Sequence, residues 1–168
     1  MKEDVGKQLS SVSVMPAPAA GSSYLVTLCT HKRESLFGGS SSSVIELNQL
    51  GEIAADEWVR SAARHREIQL DQWIVRPDCI QGIILVKSTI TLDGTNRHRS
   101  LTVSKPRALS AFVAGFKAAA AKRINLLRNQ PGSPVWERSY QDQKIADVRD
   151  LNRLRQRLEP MAFPFYSY

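Results

Sequence analysis

Cysteine and histidine are scarce in this chain. Its 168 residues include two cysteines, Cys29 and Cys79, and three histidines, His31, His65 and His98. Cysteines so few and so far apart along the chain predict neither a disulfide framework nor a zinc site. Each lies in an apolar, strand-like run, where a free cysteine is usually a small buried side chain. The histidines lack the spacing of metal ligands, and we expect them at the surface or at caps.

Long hydrophobic runs are also missing. No apolar stretch approaches the roughly 20 residues of a membrane-spanning helix, so we expect no membrane association. The charged residues Lys2, Glu3 and Asp4 are followed by no apolar segment, which does not match a signal peptide. We therefore expect a cytoplasmic protein of a bacterium.

Acidic residues are in the minority. Asp and Glu total 16 against 23 Lys and Arg, which gives a formal net charge of +7 and a pI of about 9.7. An excess of this size favours an anionic partner. Nucleic acid fits better than a membrane surface, because no segment combines a basic face with a bulky apolar face.

The hydrophobic pattern indicates one domain between two tails. Residues 1–22 are rich in Ser, Ala, Gly and Pro without a period, which predicts a disordered N-terminal tail, and 160–168 form an aromatic C-terminal tail. Between them, residues 23–159 alternate strand-like and helix-like patterns. The predicted elements are a strand at 24–30, a turn at 38–43, a short hairpin strand at 44–47, a helix at 49–65 capped by Asn48, strands at 67–75 and 79–86, a loop at 88–106, a helix at 107–128, a strand at 135–140 and a helix at 143–158.

This order of elements predicts an α+β fold. Strand, helix, strand, strand, helix, strand is the pattern of a ferredoxin-like, or RRM-like, antiparallel sheet with helices on one face. An extra C-terminal helix follows the pattern, and the other face of the sheet is expected to be free. We expect the last helix to turn five apolar side chains inward: Ile145, Val148, Leu151, Leu154 and Leu158.

Basic side chains recur at helical spacing in the last two helices. Arg149, Arg153 and Arg157 follow one another at i, i+4 and i+8, which drifts by about 40° per step and makes one ridge. We interpret this ridge as a candidate nucleic-acid contact, with an equally good alternative of a solvated face paired with local acids such as Asp150. The long helix adds four more candidate nucleic-acid-binding cations: Lys117, Lys122, Arg123 and Arg128.

Several segments together resemble one family. They are YLVTLCTHKRESLFG, IELNQLGEIAADEW, VAGFKAAAAKRINLLRNQPGSPVWERSYQ and DLNRLRQRL, which follow one another from Tyr24 to Leu158. In order and spacing they resemble the HUH single-strand DNA transposases, and within them the REP-associated tyrosine transposases, which are IS200-like. The resemblance implies binding and cutting of single-stranded or hairpin DNA.

The resemblance also implies a metal site, which is altered in this chain. In the family, a strand of pattern PNHxHG supplies two histidines for Mg²⁺ or Mn²⁺. The matching stretch is Pro77-Asp78-Cys79-Ile80-Gln81-Gly82, so Cys79 and Gln81 replace both ligands. Thiolate prefers soft metals and a neutral amide oxygen is a weak ligand, so we expect no metal cofactor.

The implied nucleophile is altered as well. The family carries a tyrosine on its last helix, and Arg157 stands at the matching position. A guanidinium is not a nucleophile. The auxiliary polar ligand of the family falls at Met161. Tyr140, Tyr166 and Tyr168 are candidate replacements for the nucleophile, but without a metal they would lack stabilisation of the transition-state charge.

These patterns favour a transposase-like DNA-binding protein with a degenerate HUH motif and no catalytic activity, in which the catalytic residues are lost. One alternative is an active transposase with a substituted site. Another is a protein-interaction domain whose basic charge is incidental, and a relic without a role is a further alternative. Many relatives form dimers, so the resemblance makes a homodimer a further expectation.

Overall fold

The computed structural model describes residues 21–41, 44–87 and 107–158. Within these ranges no helix combines the length and the apolar content needed to cross a membrane. The elements are β1 (Gly21–Cys29), β2 (Gly38–Ser41), β3 (Val44–Leu47), α1 (Gln49–Ala63), β4 (Ile68–Arg76), β5 (Cys79–Lys87), α2 (Arg107–Leu127), β6 (Gln141–Lys144) and α3 (Val148–Arg157).

Four strands form one antiparallel sheet in the order β4-β5-β1-β6. Helix α1 leads to β4 and helix α2 leads to β6, at the two edges of the sheet. Strands β5 and β1 therefore lie in its centre. This is the strand order of a ferredoxin-like fold, and it confirms the predicted α+β class. The predicted loop at 88–106 and most of both predicted tails lie outside the described residues, although β1 already begins at Gly21.

A separate two-stranded hairpin precedes α1. Its second strand, Val44–Leu47, was predicted, but the preceding stretch was predicted as a turn and forms strand β2 instead. Small residues such as glycine and serine are frequent in turns, and here pairing with β3 overrides that preference. Asn48 then caps α1, as predicted, because its side-chain oxygen accepts the backbone N–H groups of Leu50 and Gly51 at 2.9 and 3.0 Å.

Helices α1 and α2 cover the first face of the sheet. The centre of this layer is the buried Trp58, whose ring meets Phe112 and Phe116 edge-on with centroid distances of 5.0 and 4.9 Å. Alternate residues of the central strands pack against these rings, among them Val26 and Ile84. Burial of these aromatic side chains is the main source of stability of this layer.

The second face is partly covered by α3. Leu151 of this helix and Leu158, its C-cap, form a smaller buried cluster with Ile74 of β4 and Ile83 of β5. The expectation that this face is free is therefore wrong at the end of the sheet near Ile83. Of the predicted inward side chains of the helix, Val148 is the exception, with 55% of its surface exposed.

Two predicted boundaries near the C-terminus are wrong. The stretch 135–140 was predicted as a strand, but strand β6 begins only at Gln141, and Trp136 makes a single bridge to Thr30. Trp136 is buried because its ring packs on Phe37 and Phe116, and not because it belongs to a ladder. The last helix was predicted to begin at 143 but begins at Val148. The Asp147 side chain caps it there and accepts the N–H of Asp150 at 2.8 Å.

Two glycines give a matched test of this packing. A Cβ at Gly82 would lie 2.8 Å from Cβ of Trp73 and 3.2 Å from the Trp58 ring, whereas a Cβ at Gly115 meets nothing within 4 Å. We expect Gly82→Ala to lower the free energy of unfolding by about 1–3 kcal/mol. Gly115→Ala, in the exposed interior of α2, should raise it by about 0.5–1 kcal/mol. Urea unfolding measures both, and equal effects would contradict the packing at Gly82.

Candidate nucleic-acid interface

The two strand positions that match the family's metal ligands share the second face of the sheet. Cys79 and Gln81 are two residues apart on β5, and side chains at i and i+2 of a strand point the same way. The Gln81 amide donates to Thr27 Oγ1 at 3.0 Å across the strand pair. Its side chain is therefore held by a neighbour in the sheet.

The Cys79 thiol is poorly suited to bind a hard cation. Only 6% of its surface is exposed. Burial, followed by the charge of Asp78, raises the pKa of Cys79 to about 12. The thiol is therefore protonated at neutral pH, and thiolate is the form that binds metals. Within residues 21–41, 44–87 and 107–158, no three His, Cys, Asp or Glu side chains are grouped to hold an ion.

Within the described residues, Arg157 makes no hydrogen bond or ion pair with these two positions. Because Leu151 of α3 and its C-cap Leu158 are buried against the sheet, Arg157 lies about 100° around the helix from Leu158 and is exposed to solvent. This weakens the residue-by-residue match to the family at α3. Whichever residue of α3 is aligned with the family's tyrosine, the helix offers no nucleophile there. It reads VRDLNRLRQR and contains no Tyr, Ser, Thr or Cys.

An ion pair anchors α3 on the sheet. The Arg155 guanidinium donates to Asp71 Oδ2 through Nε at 2.9 Å and through Nη2 at 2.6 Å. Both side chains are largely buried, with 16% and 14% of their surfaces exposed. The sequence pattern assigned no role to this pair, because the two residues lie on different elements and far apart along the chain.

A cavity of about 230 Å³ lies at the end of the second face near Thr27. Its walls come from β1, from the turn after it and from the segment that leads into β6. The lining residues are Thr27, Cys29, Arg33, Glu137, Ser139, Tyr140 and Gln141. Tyr140, one of the candidate replacement nucleophiles, is part of this wall, while Tyr166 and Tyr168 lie outside the described residues.

The turn after β1 has an unusual backbone. Lys32 and Arg33 have φ values of 55° and 58°, in the left-handed region that residues other than glycine rarely adopt. The Lys32 N–H donates to Glu137 Oε1 at 2.6 Å, which ties the turn to the opposite wall of the cavity. Sequence reasoning missed this site, because the basic run His31-Lys32-Arg33 gives no signal of a left-handed turn.

Arg33 joins two strands at the cavity. Its Nη1 donates to Cys29 Sγ at 2.6 Å, and its Nη2 lies 3.0 Å from Asp78 Oδ2. The hydrogen bond to Cys29 and the charges of Cys29 and Asp78 raise the pKa of Arg33. A permanent cation is therefore fixed beside the thiol of Cys29.

Three of the four candidate cations predicted on the long helix have partners inside the protein; Arg128 lies just after the end of α2. Lys117 Nζ donates to the carbonyls of Glu137 and Arg138 at 2.6 and 3.0 Å, and burial lowers its pKa. Arg128 donates to Asn125 Oδ1 at 2.8 Å and to the Pro134 carbonyl at 3.3 Å. These side chains stabilise the chain that follows α2.

The third partnered cation belongs to a network between the helices. Arg123 Nη1 lies 2.6 Å from Asp56 Oδ2 and 3.0 Å from Glu57 Oε2. Glu57 is buried, and it also lies 3.2 Å from Arg64 Nη1. Lys122 differs from its neighbour because it is exposed and, within the described residues, makes no ion pair.

The predicted basic ridge is exposed on α3. Arg149, Arg153 and Arg157 are all exposed on α3. Arg153 is 3.5 Å from Asp150, as the alternative interpretation foresaw, and the described residues offer Arg149 and Arg157 no ion pair. Within the described ranges, two guanidinium groups of the ridge are therefore exposed without an acidic partner.

The described histidines have no role in a metal site. His65 packs its ring edge-on against Phe112 with a centroid distance of 6.0 Å, and His31 begins the turn after β1. His98 and Met161 lie outside the described residues.

Neighbouring cations on α2 give a test of which charges are structural. Arg123→Ala should lower the free energy of unfolding by about 1–2 kcal/mol, because the buried Glu57 loses one of its cations; the partial exposure of Arg123 keeps the effect below that of a fully buried pair. Lys122→Ala should change it by less than about 0.5 kcal/mol. Denaturant titration of both variants measures the difference, and equal stabilities would contradict the network.

Comparison with known proteins finds a relative of unknown role and several solved structures, among them two transposases. No family model matches the chain. An uncharacterised protein of Haemophilus influenzae is 25% identical over 131 residues, which is 75% of this chain and 72% of that protein. A candidate transposase of Deinococcus radiodurans is 18% identical, with 95% of this chain and 96% of that one covered, but its TM-score of 0.45 supports no inference.

The second solved structure carries the structural likeness. It is a REP-associated tyrosine transposase bound to a REP hairpin, with a TM-score of 0.55 and 10% identity, and the match covers 88% of this chain and 70% of that one. At this identity the likeness concerns the fold. The chain therefore has the fold of a REP-associated tyrosine transposase, which confirms at the level of the fold the HUH resemblance seen in its sequence.

Proposed function

We propose that this chain binds single-stranded or hairpin DNA and does not cut it. The observation that carries the proposal is the chemistry of the second face. Where the family resemblance implies two metal-binding imidazoles, β5 offers the buried thiol of Cys79 and the amide of Gln81, which is already hydrogen-bonded to Thr27.

By the family resemblance, strand transfer would need a metal ion and a nucleophile together. The ion would polarise a phosphoryl oxygen, and a tyrosine would supply the nucleophile that joins the DNA covalently. A protonated thiol and a neutral amide do not supply the site for Mg²⁺ or Mn²⁺. Helix α3 supplies leucines and arginines in place of a hydroxyl group. Two independent parts of the chemistry are therefore replaced.

Binding requires less than catalysis, and its components are present. The net charge is +7, and the α3 ridge of Arg149, Arg153 and Arg157 is exposed. Guanidinium groups bind phosphates with two parallel hydrogen bonds. The fold resembles that of a protein whose structure contains a REP hairpin, which makes a hairpin the first ligand to test.

A second candidate function is a protein-interaction domain. One observation favours it: Leu126 and Leu127 at the end of α2 have 81% and 49% of their surfaces exposed. Exposed leucines at a helix end are compatible with docking of a partner, although two residues are a small patch. A full chain that fails to shift any oligonucleotide at low salt would favour this candidate over the first.

Catalysis can be tested by covalent trapping. We expect purified full-length chain incubated with stem-loop DNA and Mn²⁺ to give no protein–DNA adduct on a denaturing gel, because the metal ligands and the helix nucleophile are replaced. The matched control is Tyr140→Phe, which removes the tyrosine of the cavity wall. An adduct formed by the wild type and lost in this variant would overturn the proposal and identify Tyr140 as the nucleophile.

Binding can be tested by its dependence on salt. Each phosphate contact to a single strand contributes roughly 0.7 to the slope of log affinity against log salt. Changing Arg149, Arg153 and Arg157 together to Ala should weaken binding of a stem-loop in a gel shift and reduce the slope by up to about 2.

A charge-matched variant separates the ridge from net charge. Arg60, Arg66 and Lys122 lie in or beside the helices of the first face, and changing all three to Ala removes the same charge. We expect this control to retain most of the slope. If the two triple variants lose the same slope, the ridge is not the contact surface.

A further inference from the structure

The two cysteines of the chain lie opposite each other on adjacent strands of the sheet. The register between β1 and β5 makes Cys29 and Cys79 direct partners, although they are distant along the sequence. Their distance in sequence had suggested no relation between them. Both are free thiols in this structure.

The backbone hydrogen bonds around Cys29 and Cys79 show which kind of antiparallel residue pair they form. The Cys29 carbonyl accepts the N–H of Glu137 at 2.9 Å, on the side of β1 away from β5. One residue further on, the Thr30 N–H donates to the Asp78 carbonyl at 2.9 Å. Hydrogen-bonded and non-hydrogen-bonded pairs alternate along an antiparallel ladder, so Cys29 and Cys79 form a non-hydrogen-bonded pair.

This type of pair brings side chains close enough to join. Its Cα atoms lie about 4.5 Å apart, and both Cβ atoms point to the same face of the sheet. A disulfide requires a Cα separation of about 4.4–6.8 Å and Cβ atoms about 3.5–4.5 Å apart. The backbone therefore already meets the requirement, and adjustment is confined to the two side chains.

The two thiols differ in access and environment. Cys29 is partly exposed, lines the cavity and receives a hydrogen bond from Arg33 at 2.6 Å. Disulfide exchange begins with attack by a thiolate, and the Arg33 cation lies beside the Cys29 sulfur from which that attack would start. Cys79 is buried, and burial raises its pKa to about 12. An oxidant that enters the cavity therefore meets Cys29 first.

We propose that Cys29 and Cys79 form a redox-convertible pair, which a low-molecular-weight disulfide oxidises to a cross-strand bond. The Cys29 thiolate attacks one sulfur of the small disulfide, and the S–S bond of the disulfide breaks as a mixed disulfide forms on Cys29. The departing thiolate takes up a proton and leaves as a thiol.

The second step closes the bond between the strands. Cys79 gives up its proton and attacks the Cys29 sulfur, and the mixed disulfide breaks to release the second small thiol. Two protein thiols are thereby oxidised and one disulfide is reduced to two thiols. Exposed disulfides are the labile ones, and Cys29 of this pair lines a cavity. The inference does not depend on the nucleic-acid binding proposed above.

Mass spectrometry of the full chain treated with oxidised glutathione tests the order of these steps. We expect the wild type to lose both thiols together, with a mass decrease of about 2 Da and no retained glutathione. Cys79→Ser should accumulate a stable glutathione adduct on Cys29, because the resolving thiol is missing. Cys29→Ser should stay unmodified, because Cys79 is buried.

Three outcomes would overturn the proposal: a wild type that retains glutathione on Cys29, equal modification of the two serine variants, or thiols that react only after unfolding.

A second measurement isolates the role of Arg33. In the Cys79→Ser background, Arg33→Gln should slow formation of the adduct by roughly 3- to 10-fold. Lys32→Gln removes the same charge from the adjacent residue, which shares the left-handed backbone, and should leave the rate unchanged. Equal rates for the two variants would contradict the role of Arg33 in directing the oxidant to Cys29.

Discussion

The antiparallel register between β1 and β5 decides which side chains share each face of the sheet. It sets Leu25 against Ile83 in the cluster under α3, and Thr27 against Gln81 at the cavity. A slip of one residue would exchange the two faces, because side chains alternate along a strand. The apolar contacts of Val26 and Ile84 with the helix layer oppose such a slip, so burial on the first face also fixes the arrangement of polar groups on the second.

The second face is divided by the position of α3. Leucines of α3 and the ion pair between Arg155 and Asp71 hold the helix over the Ile83 end of the sheet. The end at Thr27 carries the cavity instead. Removal of one partner from a largely buried ion pair leaves an uncompensated charge, so this pair makes alternative positions of α3 unfavourable. The polar end of the sheet is thereby left accessible to a ligand.

Much of the fold could be predicted from hydrophobic periodicity, while the contacts of the site could not. Strands β4 and β5, predicted at 67–75 and 79–86, and helix α2, predicted at 107–128, were all close to their observed bounds. Strand β6 reads QDQK and has no apolar alternation, so its pairing with β1 leaves no mark in the sequence. The role of Arg123 was equally hidden, because its acidic partners lie on α1, more than a helix away along the chain.

One lysine connects the two layers of the molecule. Lys117 belongs to α2, on the first face, and its ammonium group holds the carbonyls of Glu137 and Arg138, which adjoin the cavity wall. A ligand that displaced this wall would have to break the two hydrogen bonds that tie it to a helix of the opposite layer. Access to the cavity is in this way linked to the packing of α2.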